Sequence, residues 1–224
     1  MMQLEPISKK EAARYMGVRG EPDKNVAELL DKAELLVRKS VHPKYVYRET
    51  TVEQVDVGVK LGAVASVLTG NDVKKHLSGC ERAVILAATL SSEADKLIRQ
   101  SAVISMAESL AVDCICSAAI EQVCDRAEKE IFSEISAAYR TWRFSPGYGD
   151  LPISLQSDIL SALNAHRRIG LTATENSILI PSKSVTAIIG ISDEPIERGK
   201  KGCAVCNLRE NCAFVITGGV CKSR

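Results

Sequence analysis

The chain has 224 residues, 46% of them hydrophobic and 25% charged, which is enough to bury a full core as one large domain or as one domain with a small appendage. Its net charge of +1 and its 4% aromatic content offer neither a basic surface nor a stacking platform, so nucleic acid and membrane surfaces are disfavoured as partners. Met1 to Lys10 contains no apolar h-region and the apolar run Ala83 to Ser92 is too short for a bilayer, so a cytoplasmic protein is expected, in which eight Cys serve a metal or the core rather than disulfides.

Ser8-Lys9-Lys10-Glu11 is a capping-box pattern opening a short helix that Gly17 can end. After a turn at Gly20 to Asp23, a second helix runs to about Ser40, with Val26, Leu29, Leu30, Ala33, Leu36 and Val37 at the helical period and Pro43 as its stop. Tyr45 to Leu61 alternates in part and predicts strands. Gly70-Asn71-Asp72 turns into a brief helix over Val73 to Leu77, and Ala83 to Leu90 predicts a buried strand. Ser92 is placed to cap the next helix, with Asp95 three residues on.

The longest helical pattern spans about Ser101 to Tyr139, with room for one break. Ala107, Ala111, Ile115, Ala119, Val123, Ala127, Ile131 and Ile135 form one apolar stripe of mostly small residues. About 200° round the helix runs a second ladder, Asp113, Ser117, Glu121 and Asp125. That ladder is either a solvated face or a source of one acid for a ligand site.

Tyr139 to Pro152 holds the single Trp, and Pro146-Gly147 specifies a sharp turn there. Arg143, just before the turn, offers a planar fork of donors that suits a carboxylate. The segment reads as a structural turn with a solvated Arg, or as a seat for a small ligand with a carboxylate and a flat ring. Ser154 is placed to cap a helix from Leu155 to about Ala165, and Ile169 to Ile191 predicts strands joined at Pro181-Ser182-Lys183.

A basic linker, Gly199 to Gly202, leads into a tail with Cys203, Cys206, Cys212 and Cys221. Four thiolates at this spacing suit one closed metal site, and zinc and an iron–sulfur cluster both fit. Cys80, Cys114, Cys116 and Cys124 read as small core residues, since Cys114 and Cys116 point about 200° apart on a regular helix. His42, His76 and His166 stand in no ligand spacing, and neither a phosphate loop nor Gly-x-Gly-x-x-Gly occurs, which disfavours nucleotide hydrolysis and dinucleotide chemistry.

Arg143-x-x-Pro146-Gly147-Tyr148-x-x-x-Pro152 resembles the signature of the activation domain of cobalamin-dependent methionine synthase. Thr174-Glu175, with Pro181 and Ser184-Val185 after it, resembles that family's second block. Two departures stand out: Gly149 where the family usually has Pro, and Ala187 where it usually has Gly. Leu110-Ala111-x-Asp113 with Glu121 is similar to the family helix that supplies an acid.

The resemblance implies an α+β fold, with a twisted antiparallel sheet, flanking helices and N-terminal helices. It implies an S-adenosylmethionine (AdoMet) domain over residues 1–198, and the linker and Cys spacing set off a Cys-rich tail over 199–224. By the same resemblance Arg143 clamps the AdoMet carboxylate and backbone groups at Ser145 and Gly147 bind the adenine or ribose side. Tyr148 shapes the corrin-facing wall, and Glu121 meets the ammonium.

The implied function is reductive remethylation of a separate cobalamin-dependent methionine synthase or related corrinoid protein, with an electron donor such as flavodoxin or ferredoxin. Co(I) is itself the nucleophile, so no catalytic base is implied. The analogy favours a 4Fe–4S cluster over zinc in the tail. Two other readings compete: a metal-stabilised adaptor that binds a corrinoid protein without AdoMet, and a conventional methyltransferase. The latter lacks its usual glycine-rich loop after a strand.

Overall fold

The computed structural model describes residues 2–196 and Glu210. In chain order the elements are α1 (Lys9–Tyr15), α2 (Lys24–Ser40), β1 (Lys44–Val55), β2 (Gly58–Leu61), β3 (Leu68–Thr69), α3 (Asn71–His76), β4 (Arg82–Thr89), α4 (Ser92–Ile104) and α5 (Met106–Glu134). There follow β5 (Tyr139–Arg140), a 3₁₀ turn (Ile153–Leu155), α6 (Gln156–Ala162), α7 (Ala165–Ile169), β6 (Thr172–Ala173), β7 (Leu179–Ile180) and β8 (Ser184–Ser192). The strand order is β3-β2-β1-β4-β8-β5 in a six-stranded sheet, with β6 and β7 forming a separate pair. Pairing is antiparallel at β1–β2, β2–β3, β5–β8 and β6–β7. The α+β expectation, an antiparallel sheet with flanking helices, is met.

Two compact units divide the chain. The first takes the residues up to Tyr47, Leu86–Ile135 and Leu163–Val185. Its core joins Leu30, Ala33 and Val37 of α2 to Ala12 and Ala13 of α1 and to α5. The long helix α5 is buried on most of its circumference from Ala111 to Cys124, where Ala and Cys at many positions let neighbouring backbones approach, and on one stripe, Ala127 and Ile131, beyond that. Ser8 caps α1 by accepting the Glu11 N–H at 3.3 Å, and Asp23 caps α2 through Val26 N–H at 2.9 Å. Leu36, expected on the buried face of α2, is 45% exposed, so that face is narrower than the sequence period suggested.

The break in the long helical pattern falls at Ser105, whose extended backbone (φ −160°, ψ 149°) ends α4 and starts α5. Its N–H donates to the Ser101 carbonyl and its hydroxyl accepts the Glu108 N–H, both at 3.0 Å, so one residue caps both helices. Ala107, just past the break, is exposed rather than part of the stripe. The helix stops at Glu134, short of the expected Tyr139, and Tyr139 and Arg140 pair instead with Ser192 and Ile191 of β8. Ser91 rather than Ser92 caps α4, without a side-chain capping bond, because its hydroxyl turns to the His42 carbonyl.

The second unit takes Arg48–Ile85, Ser136–Ala162 and the described residues from Thr186 onward. Buried Val59, Leu61, Leu68, Val73 and Leu77 on one side of the sequence, and Phe144, Leu151, Ile159 and Ile188 on the other, are among its core residues. At Gly190 on β8 an added Cβ would lie 2.6 Å from Cys80 Sγ and 2.9 Å from Leu77 Cδ2, so only glycine allows the chain after α3 to press on this strand. Ser154, expected as a helix cap, lies inside the 3₁₀ turn, and Pro152 occupies the N-cap position.

Candidate functional site

The segment Thr141 to Pro152 lies in the second unit and is fastened at its start to β8. Thr141 N–H donates to the Gly190 carbonyl at 3.0 Å, and Phe144 and Ile188 exchange both backbone bonds at 2.9 and 2.8 Å. Tyr148 N–H then donates to Ser145 O at 3.0 Å, closing a tight turn with Pro146 and Gly147 (φ +91°) at its corners. That is the arrangement in which Pro fixes the second residue and only Gly readily takes the third. Gly147 N–H to Leu151 O (2.9 Å) and Leu151 N–H to Tyr148 O (3.0 Å) tighten the loop.

Phe144, Pro146 and Leu151 are buried, while Gly147 and Tyr148 are exposed, Tyr148 by 51%. Arg143 and Ser145 are half-buried. Below Tyr148 lies a nest of rings. Its centroid is 6.0 Å from Phe144 and 6.4 Å from Trp142, which are 5.3 Å from each other. His76 completes the nest, stacked on Phe144 and edge-on to Trp142, each at 4.8 Å.

Beyond the turn, Asp150 reaches α3. One carboxylate oxygen accepts Asn71 N–H at 2.6 Å and the other Asp72 N–H at 3.0 Å, while Asp72 accepts Asp150 N–H at 3.3 Å. The N-cap of α3 is Gly70, which has no side chain, so Asp150 supplies from a distance the acceptors that the helix start lacks. Gly149, at φ +53°, sits against Asp72, and an added Cβ would fall on that carboxylate. Proline could not adopt this φ.

Of the residues expected at the site, Arg143, Ser145, Gly147 and Tyr148 thus share one exposed turn in the second unit. Glu121 belongs to the first unit, half-buried on α5. Its ladder is no bare solvated face: Asp113 pairs with Lys183 Nζ at 2.9 Å, and the same ammonium donates to Ser117 Oγ at 2.9 Å. Lys183 lies within the second sequence block. Next to it Ser182 donates its N–H (3.0 Å) and hydroxyl to Asp95, and the Ser184 hydroxyl lies 2.8 Å from Thr89 Oγ1. Thr174 serves its own turn, its hydroxyl accepting Ile178 N–H at 3.1 Å.

Cys80, Cys114, Cys116 and Cys124 are buried and in no disulfide, as the sequence implied. Burial pushes the thiols of Cys80 and Cys114 up to about 11 and that of Cys116 up to about 12. Among the described residues no cluster of three or more His, Cys, Asp or Glu could hold a metal ion. Cys203, Cys206, Cys212 and Cys221 lie outside the described residues, as does the linker Gly199 to Gly202. No helix among the described residues is long and apolar enough to cross a membrane. A cleft of ≈ 320 Å³ in the first unit, lined by His42, Lys44, Ser91 and Pro181 among others, includes none of the expected site residues.

Sequence reasoning missed three residues that shape the turn: Asp72, His76 and Asp150. The Gly70-Asn71-Asp72 turn was legible, but nothing in the local pattern joins it to Asp150, and a lone His carries no spacing signal.

No family model matches the chain, and no curated protein matches it either. Among solved structures it is similar to the crystal structure of the MetH reactivation domain bound to AdoHcy, with a TM-score of 0.62 at 14% identity, over 95% of this chain and 83% of that one. The fold expected from the two sequence blocks and the fold found by comparison therefore agree: this chain is built like that reactivation domain.

Proposed function

We propose that the chain binds AdoMet at the turn 143–152 and supports the reductive remethylation of a separate cobalamin-carrying methionine synthase or related corrinoid protein. One observation carries this reading. The chain is similar over 95% of its length to a reactivation domain solved with AdoHcy, the demethylated form of AdoMet. The residues of the turn fit such a ligand, with a half-buried arginine, a half-exposed tyrosine and a glycine corner side by side.

Arg143 holds the ligand carboxylate in this reading. Ser145 O and Gly147 N–H already serve the turn itself, so Ser145 N–H and Gly147 O are the backbone groups assigned to the adenine or ribose. Tyr148, carried on Phe144 and Trp142, forms a wall that keeps water from the reacting end. AdoMet, when bound, supplies the methyl group, and the acceptor is the partner's cobalt after one-electron reduction from Co(II) to Co(I). The protein's part is orientation, which alone lowers a barrier substantially.

Glu121 carries a separate assignment, to the ligand's ammonium, tested by the AdoMet affinity of Glu121→Gln. The tail completes the reading, with Cys203, Cys206, Cys212 and Cys221 holding a 4Fe–4S cluster that takes its electron from a flavodoxin or ferredoxin. Anaerobically purified protein should then be brown and contain iron and sulfide in near-equal amounts. A colourless protein with about one zinc per chain assigns a structural site instead.

Calorimetry with AdoMet and AdoHcy tests the main reading. Arg143→Ala should weaken binding about tenfold or more, since a charge-assisted hydrogen bond contributes about 1.5–3 kcal/mol. Arg143→Lys should recover only part, because an ammonium cannot make the planar fork. Equal affinity in wild type and Arg143→Ala removes the clamp. A wild-type chain that binds neither ligand, yet captures a corrinoid protein, is an adaptor.

A further inference from the structure

We infer that His76 is the positioning residue of the turn 143–152, setting the ligand-facing ring of Tyr148 through the Thr141 hydroxyl and the rings of Phe144 and Trp142. The ligand half of this inference rests on the AdoMet reading. The positioning half does not.

His76 is the last residue of α3 and is only 7% exposed. A buried imidazole needs a polar partner, and its Nε2 lies 2.8 Å from Thr141 Oγ1. That oxygen also accepts Gly190 N–H at 2.8 Å and lies 3.3 Å from the Trp142 carbonyl, within reach of its hydroxyl proton. The 2.8 Å contact joins the hydroxyl to Nε2 in either tautomer, the ring nitrogen accepting when it carries no proton and donating when it does. One hydroxyl thereby ties α3 and β8 to the residue from which the motif segment departs.

The ring does the rest. It stacks on Phe144 at 27° and meets Trp142 at 72°, and these two rings are the ones that carry Tyr148. At its other end α3 is tied by Asp150 to the chain just after the turn. The helix therefore grips the turn on both sides, at Thr141 and at Asp150. A residue that merely filled the space would stack equally well, and the bond to Thr141 is what sets the ring's place.

Three variants separate the two parts. His76→Phe keeps a ring and loses the polar nitrogen; His76→Gln keeps a polar atom near the position of Nε2 and loses the ring; Thr141→Val keeps shape and loses the hydroxyl. Each is measured for AdoHcy affinity by calorimetry and for emission and acrylamide quenching without ligand, because Trp142 is the single tryptophan of the chain.

His76→Phe and Thr141→Val should each weaken AdoHcy roughly 3- to 10-fold, the worth of one hydrogen bond, and the double variant should lose no more than either alone. His76→Gln should bind better than His76→Phe. Trp142 emission should shift to the red and quench more readily in His76→Phe and Thr141→Val. Additive losses, or His76→Phe binding like wild type while Gln does not, overturn the inference in favour of simple space-filling. Should the wild type bind no AdoHcy at all, the ligand reading has failed, and unchanged Trp142 emission in both variants then overturns the positioning by itself.

Discussion

Gly149→Ala tests the join between the turn and α3. At φ +53° an alanine takes a left-handed backbone that costs about 1–2 kcal/mol. Its Cβ would also fall on the Asp72 carboxylate, with Cγ at 2.9 Å and Cβ at 3.0 Å, so the Asp72 side chain must swing away. Doing so breaks its 3.3 Å bond to Asp150 N–H, worth about 1 kcal/mol. The sum is about 2–3 kcal/mol, or about 4–12 °C in the melting midpoint of a chain of this size. Circular dichroism melts of Gly149→Ala, Asp72→Ala and the double variant form a cycle. Asp72→Ala removes the carboxylate but leaves its Cβ, so Gly149→Ala should cost about 1 kcal/mol less in that background than in wild type. An unchanged midpoint for Gly149→Ala, or the same loss in both backgrounds, would refute the reasoning. Gly149→Pro should be worse than Ala, because proline holds φ near −65°.

Two further outcomes concern residues away from the turn. Lys183 is 14% exposed in its side chain and Asp113 44%, so losing the acid strands an ammonium that water reaches poorly, whereas losing the lysine leaves a carboxylate at the surface. Asp113→Ala should therefore destabilise by about 1 kcal/mol more than Lys183→Met, by urea denaturation. The thiols of Cys80, Cys114 and Cys116 are raised from 9.0 by burial, so the folded state favours their protonated form. Stability from these groups is complete below pH about 9 and is lost as pH rises through about 11–12. Mapping by mass spectrometry should find all three unalkylated by iodoacetamide in native protein at pH 8.

Elements with a local cause were legible in the sequence. The cap at Ser8, the bounds of α2 and the uncharged run of β4 each have causes within a few residues and appear where expected, although the buried face of α2 leaves out Leu36. The break at Ser105 had a local signal too, Ser105-x-x-Glu108, but the apolar stripe runs on past it and masks it. The end of α5 and the start of β5 were not legible, because pairing with β8 fifty residues later decides them. The same holds within the candidate site. The turn at Pro146-Gly147 needs only its own residues. His76 reaches Thr141 across 65 positions and Asp150 reaches Asn71 across 79, contacts that no window of the sequence contains.

Those distant contacts also bear on the two places where the chain departs from the family it resembles. Gly149 stands where Pro is usual, and its left-handed backbone is what lets Asp72 and Asp150 exchange their bonds. Ala187 stands where Gly is usual, fully buried on β8 beside Ile188, the residue that anchors Phe144. Both changes thus face packing and helix capping rather than the exposed tip of the turn, which Gly147 and Tyr148 form. A substitution absorbed by the scaffold alters how the turn is held, whereas under the proposed function a substitution at the tip or at Arg143 alters what it can hold. By that argument the departures weigh on stability, while Arg143, Pro146, Gly147 and Tyr148 keep the resembled pattern, and the ligand role proposed for the turn is left untouched by them.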